Sequence, residues 1–140
     1  MKNFKWIGWP GIFPRDEDEK SRITSLLNDH NCQPVWIEKG MMDKVLIFYD
    51  KFLRPLFHNF KSTSDQDVDS NNTELWHAFS EVNSLYVSSL IQIKGERELV
   101  WIHDLYLLLT PFYLKKKEVN ASIGFFMHSP MPCSDIMKTF

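Results

Sequence analysis

Three residues can do chemistry from two places in the chain: His103 and Asp104 in "ELVWIHD", and His128 at the end of "ASIGFFMH". Each place closes an apolar run abruptly. A segment serving only a core would not need ionisable side chains there, since unpaired charge is costly to bury. Imidazole titrates near neutral pH and can donate or accept a hydrogen bond. A carboxylate beside it accepts from ligand donors. The pattern reads either as a ligand site or as a structural Asp–His hydrogen bond.

What decides between them is where the flanking elements put these residues. Both runs are apolar on both faces, without period-two alternation, as strands of a parallel sheet covered on both sides are. Between them "LYLLLTPFYLKKK" predicts one helix. Its closing Lys115, Lys116 and Lys117 suit the negative end of the helix dipole. In open parallel α/β sheets, ligands sit beyond the carboxyl ends of the strands. Asp104 and His128 are therefore expected at the carboxyl edges of two adjacent parallel strands, facing one open crevice.

The upstream elements follow the same alternation. Phe4 to Trp9 predicts a short strand ending in a turn built from Gly8, Pro10, Gly11 and Pro14. Asp16 caps a helix whose first turn is acidic, with Ile23, Leu26 and Leu27 turned inward. "QPVWIE" is a second strand, tolerating Pro34 only at its start. Met42, Val45, Leu46 and Tyr49 share a helical face, and Pro55 breaks or restarts that helix. "KSTSDQDVDSNN" is a polar connection. Thr73 opens the longest helix, with Leu75, Phe79, Val82, Tyr86, Leu90 and Ile93 as its stripe and Gly95 as its end. The fold class is α/β: a parallel sheet with flanking helices and right-handed crossovers.

At 140 residues the chain fits one domain of residues 1–140. Apolar residues make up 44% and charged ones 24%, the balance of an ordinary globular protein with a core. A net charge of -2 gives no electrostatic reason to expect nucleic acid or an anionic membrane as partner. No apolar stretch approaches the roughly 20 residues needed to span a bilayer. Cys32 and Cys133 are too far apart for a metal or redox spacing, and no signal peptide is visible, so a cytoplasmic location is expected.

"VWIHDLYLLLTPFYL", "IGFFMHSPMPCSDIM" and "LRPLFH" resemble three segments of the trehalose-6-phosphate synthases, retaining sugar-nucleotide glycosyltransferases. "WIGWPGI", "CQPVWI" and "LWHAFSEVNSLYV" fit the elements between them, so the resemblance covers nearly the whole chain in order. It implies a Rossmann-like sheet and a partial N-terminal, acceptor-side domain of a two-domain GT-B enzyme. It also implies roles: Trp9 lines the acceptor pocket, Asp104 contacts acceptor hydroxyls, and His128 stands near the donor glucose at the point of transfer, as the catalytic residue. The family's substrates are glucose 6-phosphate and UDP-glucose; no cofactor and no metal are expected.

The chain also departs from the family pattern. Arg54 replaces the tryptophan of "LWPLFH"; it can meet a phosphate bidentately or stand solvated before a helix. Val45 stands where a phosphate-binding tyrosine is expected, and Tyr106 replaces the second histidine of "HDYH". The family's opening strand and its donor domain fall outside the sequence, so the chain alone is expected to be inactive. The segments Phe4–Trp9 and Glu98–His103 must then pair directly or leave a slot. The alternative function is a non-catalytic regulatory subunit that assembles with synthase or phosphatase subunits.

Overall fold

The structure is a computed structural model that describes residues 4–58, 70–93, 99–117 and 119–137. Strand β1 (Trp6–Gly8) pairs in parallel with β2 (Cys32–Pro34), Trp6 opposite Cys32 and Gly8 opposite Pro34. Helix α1 (Glu17–Asp29) joins them, and its cap is the expected one: Asp16 Oδ1 accepts from the Glu19 amide at 2.7 Å. The inward set is smaller than expected. Leu26 is 60% exposed, while Ile23 and Leu27 are half-buried, because α1 rests on β2 at the edge of the fold. Pro34 ends its strand rather than starting it. The ladder continues past it through the Val35 amide, which donates to the Gly8 carbonyl at 2.8 Å.

Helix α2 (Lys39–Phe48) runs into a π-helical turn (Tyr49–Leu53) and then α3 (Arg54–His58). Pro55 has no N–H to offer an α-ladder, and the wider turn just before it carries the chain through without a break. Met42, Val45 and Phe48 are buried against α4 (Ser70–Ile93); Leu46, expected on the same face, is 40% exposed. Helix α4 begins before Thr73, so the last residues of the polar segment are its first turn. Residues 61–69 and Gly95 lie outside the described residues. The expected stripe of α4 serves two clusters. Leu75, Phe79 and Val82 pack with α2, and Leu90 packs with Ile102 and Leu114 further along.

Strands β3 (Leu99–His103) and β4 (Ser122–Phe126) are adjacent and parallel, His103 opposite Phe126. The single helix expected between them is instead a 3₁₀ turn (Leu105–Leu107) followed by α5 (Thr110–Lys116). The cause is Asn83 on α4, fully buried. Its Nδ2 donates to the carbonyls of Phe79 (2.9 Å) and Tyr106 (3.0 Å), and its Oδ1 accepts from the Leu109 amide (3.1 Å) and the Thr110 hydroxyl (2.9 Å). A side chain thus takes the groups a continuous helix would have paired, and Pro111 starts the next helix, where its missing N–H is harmless. A short α6 (Ser134–Met137) follows β4.

Among the described residues β1 does not pair with β3; the strands form two separate pairs, β1–β2 and β3–β4. Of the two arrangements expected, the slot is the one formed. Ile7 packs against both core clusters, so both pairs rest on one apolar layer. Coverage is also one-sided. Ile102, Ile123 and Phe125 face α4 and α5, while Leu99 (66% exposed), Trp101 (57%) and Phe126 (45%) lie on the opposite face, which no described helix covers.

Two outcomes follow. Asn83→Leu leaves Tyr106 O, Leu109 N and the Thr110 hydroxyl unpaired at roughly 1–3 kcal/mol for each buried group, so urea unfolding should show a loss of about 3 kcal/mol or more. In parallel ladders alternate residues bond to opposite sides. Asp104 and Ile102 face β4 while Trp101 and His103 face the slot, as does Ile7 on β1. Hydrogen exchange should therefore be faster at Ile7, Trp101 and His103 than at Gly8, Ile102 and Asp104.

Candidate functional site

Asp104 follows β3 directly. Its amide donates to the Phe126 carbonyl at 2.8 Å, locking the end of β3 to the end of β4. Its backbone sits at φ 69°, ψ 172°, a region that is essentially glycine's own and costs a side-chain-bearing residue about 1–3 kcal/mol. The side chain stands half-buried, and one oxygen, Oδ1, accepts from the Leu105 amide at 2.8 Å, opening the 3₁₀ turn. His128 lies two residues past the end of β4 and is exposed. The two residues do occupy the carboxyl ends of adjacent parallel strands, but their side chains have different neighbours. The His128 ring lies 6.1 Å from that of His103 and edge-on to Phe126 at 5.0 Å.

The Asp104 charge acts on two phenols, Tyr49 in the π turn and Tyr106 in the 3₁₀ turn. Tyr49 and Tyr106 stack at 4.3 Å between centroids and 9° between planes. Burial pushes the Tyr49 phenol above its ordinary pKa, the Asp104 charge raises it further, and Arg54 opposes. The Tyr106 phenol is raised by burial first, then by Tyr49, Asp50 and Asp104, again against Arg54. Both phenols therefore remain protonated donors at neutral pH. Arg54 pairs with Asp50, Nη1 to Oδ1 at 3.2 Å, with both side chains more than half exposed. Such a pair contributes about 0–1 kcal/mol and is easily exchanged.

Trp9 stands beyond β1, its amide donating to the Tyr86 hydroxyl at 2.9 Å. The indole packs on the α2–α4 cluster and lies 5.6 Å from the Phe13 ring. Its Nε1 is buried with no hydrogen-bond partner among the described residues, an uncommon state for a buried donor. Among the described residues no hydrogen bond or ion pair joins Trp9, Arg54, Asp104 and His128 to one another. A groove of about 430 Å³ lies elsewhere, between α1 and β2, with Thr24, Asn28 and Trp36 in its lining, and contains none of the four.

Tyr49, expected only as part of a helical face, instead opens the π turn and stacks on Tyr106. The nearest signal was Pro55, which marks the disturbed helix but not the wider turn that Tyr49 opens. Val45, one turn earlier, is 1% exposed and belongs to the core.

The family model for glycosyltransferase family 20 matches residues 1–140. The alpha,alpha-trehalose-phosphate synthase (UDP-forming) A of Dictyostelium discoideum is 35% identical over 137 residues, covering 97% of this chain and 18% of that protein. The N-terminal domain of Candida albicans trehalose-6-phosphate phosphatase superposes with a TM-score of 0.78 at 31% identity, over 99% of this chain and 30% of the other. A UDP-forming alpha,alpha-trehalose-phosphate synthase from Burkholderia xenovorans, in complex with glucose-6-phosphate, superposes over 76% of this chain and 22% of its own at a TM-score of 0.65 and 23% identity, a likeness of fold. The chain thus spans a minor part of its relatives' length, and its α/β fold is part of the N-terminal domain of the GT-B arrangement. It belongs to glycosyltransferase family 20.

Proposed function

We propose that this chain forms the acceptor side of a trehalose-6-phosphate synthase-like enzyme that transfers glucose from UDP-glucose to glucose 6-phosphate. The observation that carries this is the backbone of Asp104, held in glycine's region at the carboxyl end of β3. Strain of that kind persists where a particular side chain has to be presented. With Oδ1 taken by the Leu105 amide, Oδ2 is left to accept from acceptor hydroxyls. Trp9 brings an apolar ring, and Arg54 a charge for the phosphate. The imidazole N–H of His128 stabilises negative charge at the point of transfer. Donor binding would use groups elsewhere in a protein of the relatives' length.

A second reading, a regulatory synthase-like subunit assembling with synthase or phosphatase subunits, has its own support. Val45 is buried and apolar where a phosphate contact is expected, and Arg54 is engaged by Asp50. The likeness to a phosphatase's N-terminal domain points the same way. Cys32 and Cys133 are free thiols, which fits a cytoplasmic setting, and no described helix is long and apolar enough to cross a membrane.

Calorimetric titration with glucose 6-phosphate tests the acceptor reading. Binding should weaken about tenfold or more in Asp104→Asn, and the absence of any Asp104-dependent binding would refute it. Binding without turnover in the full-length protein would select the regulatory alternative. The strain argument has a separate check: Asp104→Gly should be more stable in urea than Asp104→Ala by about 1 kcal/mol or more, with neither binding the ligand well.

A further inference from the structure

We propose that Tyr86 is a positioning residue for the acceptor: its hydroxyl holds the Trp9 amide and so fixes the turn that presents the Trp9 ring. This rests on the acceptor reading above and adds to it a group 77 residues away that sets where the ring stands before ligand arrives.

The turn after β1 is the first support. Trp9 follows β1 directly, and Pro10 and Gly11 turn the chain at once, Gly11 at φ 78°. Proline followed by a glycine of positive φ is the pattern of a type II turn, with Trp9 as its first residue. The β1–β2 ladder ends where the Val35 amide donates to the Gly8 carbonyl. From Trp9 to Pro14, among the described residues, the backbone makes one hydrogen bond, from the Trp9 amide to the Tyr86 hydroxyl at 2.9 Å. Without it the turn is held by ring contacts alone, Trp9 on the α2–α4 cluster and Phe13 at 5.6 Å. Apolar contacts of that kind have no preferred direction and permit sliding.

The anchor is the second. The Tyr86 ring packs on the same cluster as Trp9, which fixes the place of its hydroxyl. Burial pushes the phenol above its ordinary pKa, with the Trp9 amide opposing, so the group is a neutral hydroxyl at neutral pH and its oxygen accepts. Tyr86 also lies three residues after Asn83, on one side of α4. That side of the helix therefore directs two segments far apart in sequence. Asn83 holds Tyr106, Leu109 and Thr110 in the chain that follows Asp104, and Tyr86 holds Trp9. The two acceptor groups, Trp9 and Asp104, thus take their places from one helix. A ring fixed in advance loses less freedom on binding. If only a fraction of molecules held it in place, apparent affinity would fall by that fraction.

The test is titration with glucose 6-phosphate of the wild-type chain, Tyr86→Phe, Trp9→Ala and the double variant, with exchange of the residue 9 amide followed in parallel. Tyr86→Phe keeps the ring in the core and removes the hydroxyl. It should weaken binding about fivefold, the size of one neutral hydrogen bond, and speed exchange at Trp9. Trp9→Ala keeps the amide and loses the ring, and should weaken binding about tenfold or more. On the Trp9→Ala background, Tyr86→Phe should cost less than about twofold further, because no ring is left to position. A merely structural role would give the same loss on both backgrounds, and that result overturns the proposal. So does binding within about twofold of wild type in either single variant; where Asp104→Asn still weakens the ligand, the acceptor reading then stands. If no binding depends on Asp104, both fail.

Discussion

The buried amide of Asn83 holds together the part of the molecule on which everything functional depends. Its side chain reaches both its own helix and the segment after β3, through bonds of 2.9–3.1 Å. Because those bonds end the 3₁₀ turn and begin α5, they set where the chain goes immediately after Asp104. Tyr106, whose carbonyl is one of the acceptors, is thereby placed under Tyr49. A buried polar network of this kind is informative because leaving any member unpaired is so unfavourable. The arrangement is therefore singular where a purely apolar contact would allow sliding.

Against that fixed point, the described strands form two separate parallel pairs. Two parallel pairs lie on a shared layer of helices, with Ile7 bridging the two core clusters, yet the strands that face each other across the slot do not pair among the described residues. Open edges, and a face with Leu99, Trp101 and Phe126 that no described helix covers, are features that stable monomers manage by covering or charging them. The Trp101 ring lies directly over Gly124, where an added Cβ would come within 2.8 Å of the ring, so part of the exposed face is shielded by its own side chain.

The site is built at the junction of two mechanical facts. One is the strained backbone of Asp104, held from one side by the Phe126 carbonyl and from the other by its own carboxylate on the Leu105 amide. The other is the π turn after α2, in which the Arg54 amide donates to the Tyr49 carbonyl while Val45 stays in the core. His128 belongs to a different group of rings, with His103 and Phe126, on the same sheet edge.

Much of this was legible in the residues alone. Apolar runs ending in His103, Asp104 and His128 placed those groups at the ends of adjacent parallel strands, because only backbone pairing and a covered inner face are needed for that inference. Asp16 and the α4 stripe were legible for the same reason: capping and helical periodicity are local properties. What the sequence could not determine depends on partners distant along the chain. Asn83 reads as an ordinary polar residue on a helix until its bonds to Tyr106, Leu109 and Thr110, 23 to 27 residues away, break the helix expected there. Leu26, Leu46, Trp101 and Phe126 look inward by type, and only the placement of neighbouring elements leaves them exposed. Tyr49 meets Tyr106 only in the folded chain, since ring stacking across 57 positions leaves no periodic trace in the sequence.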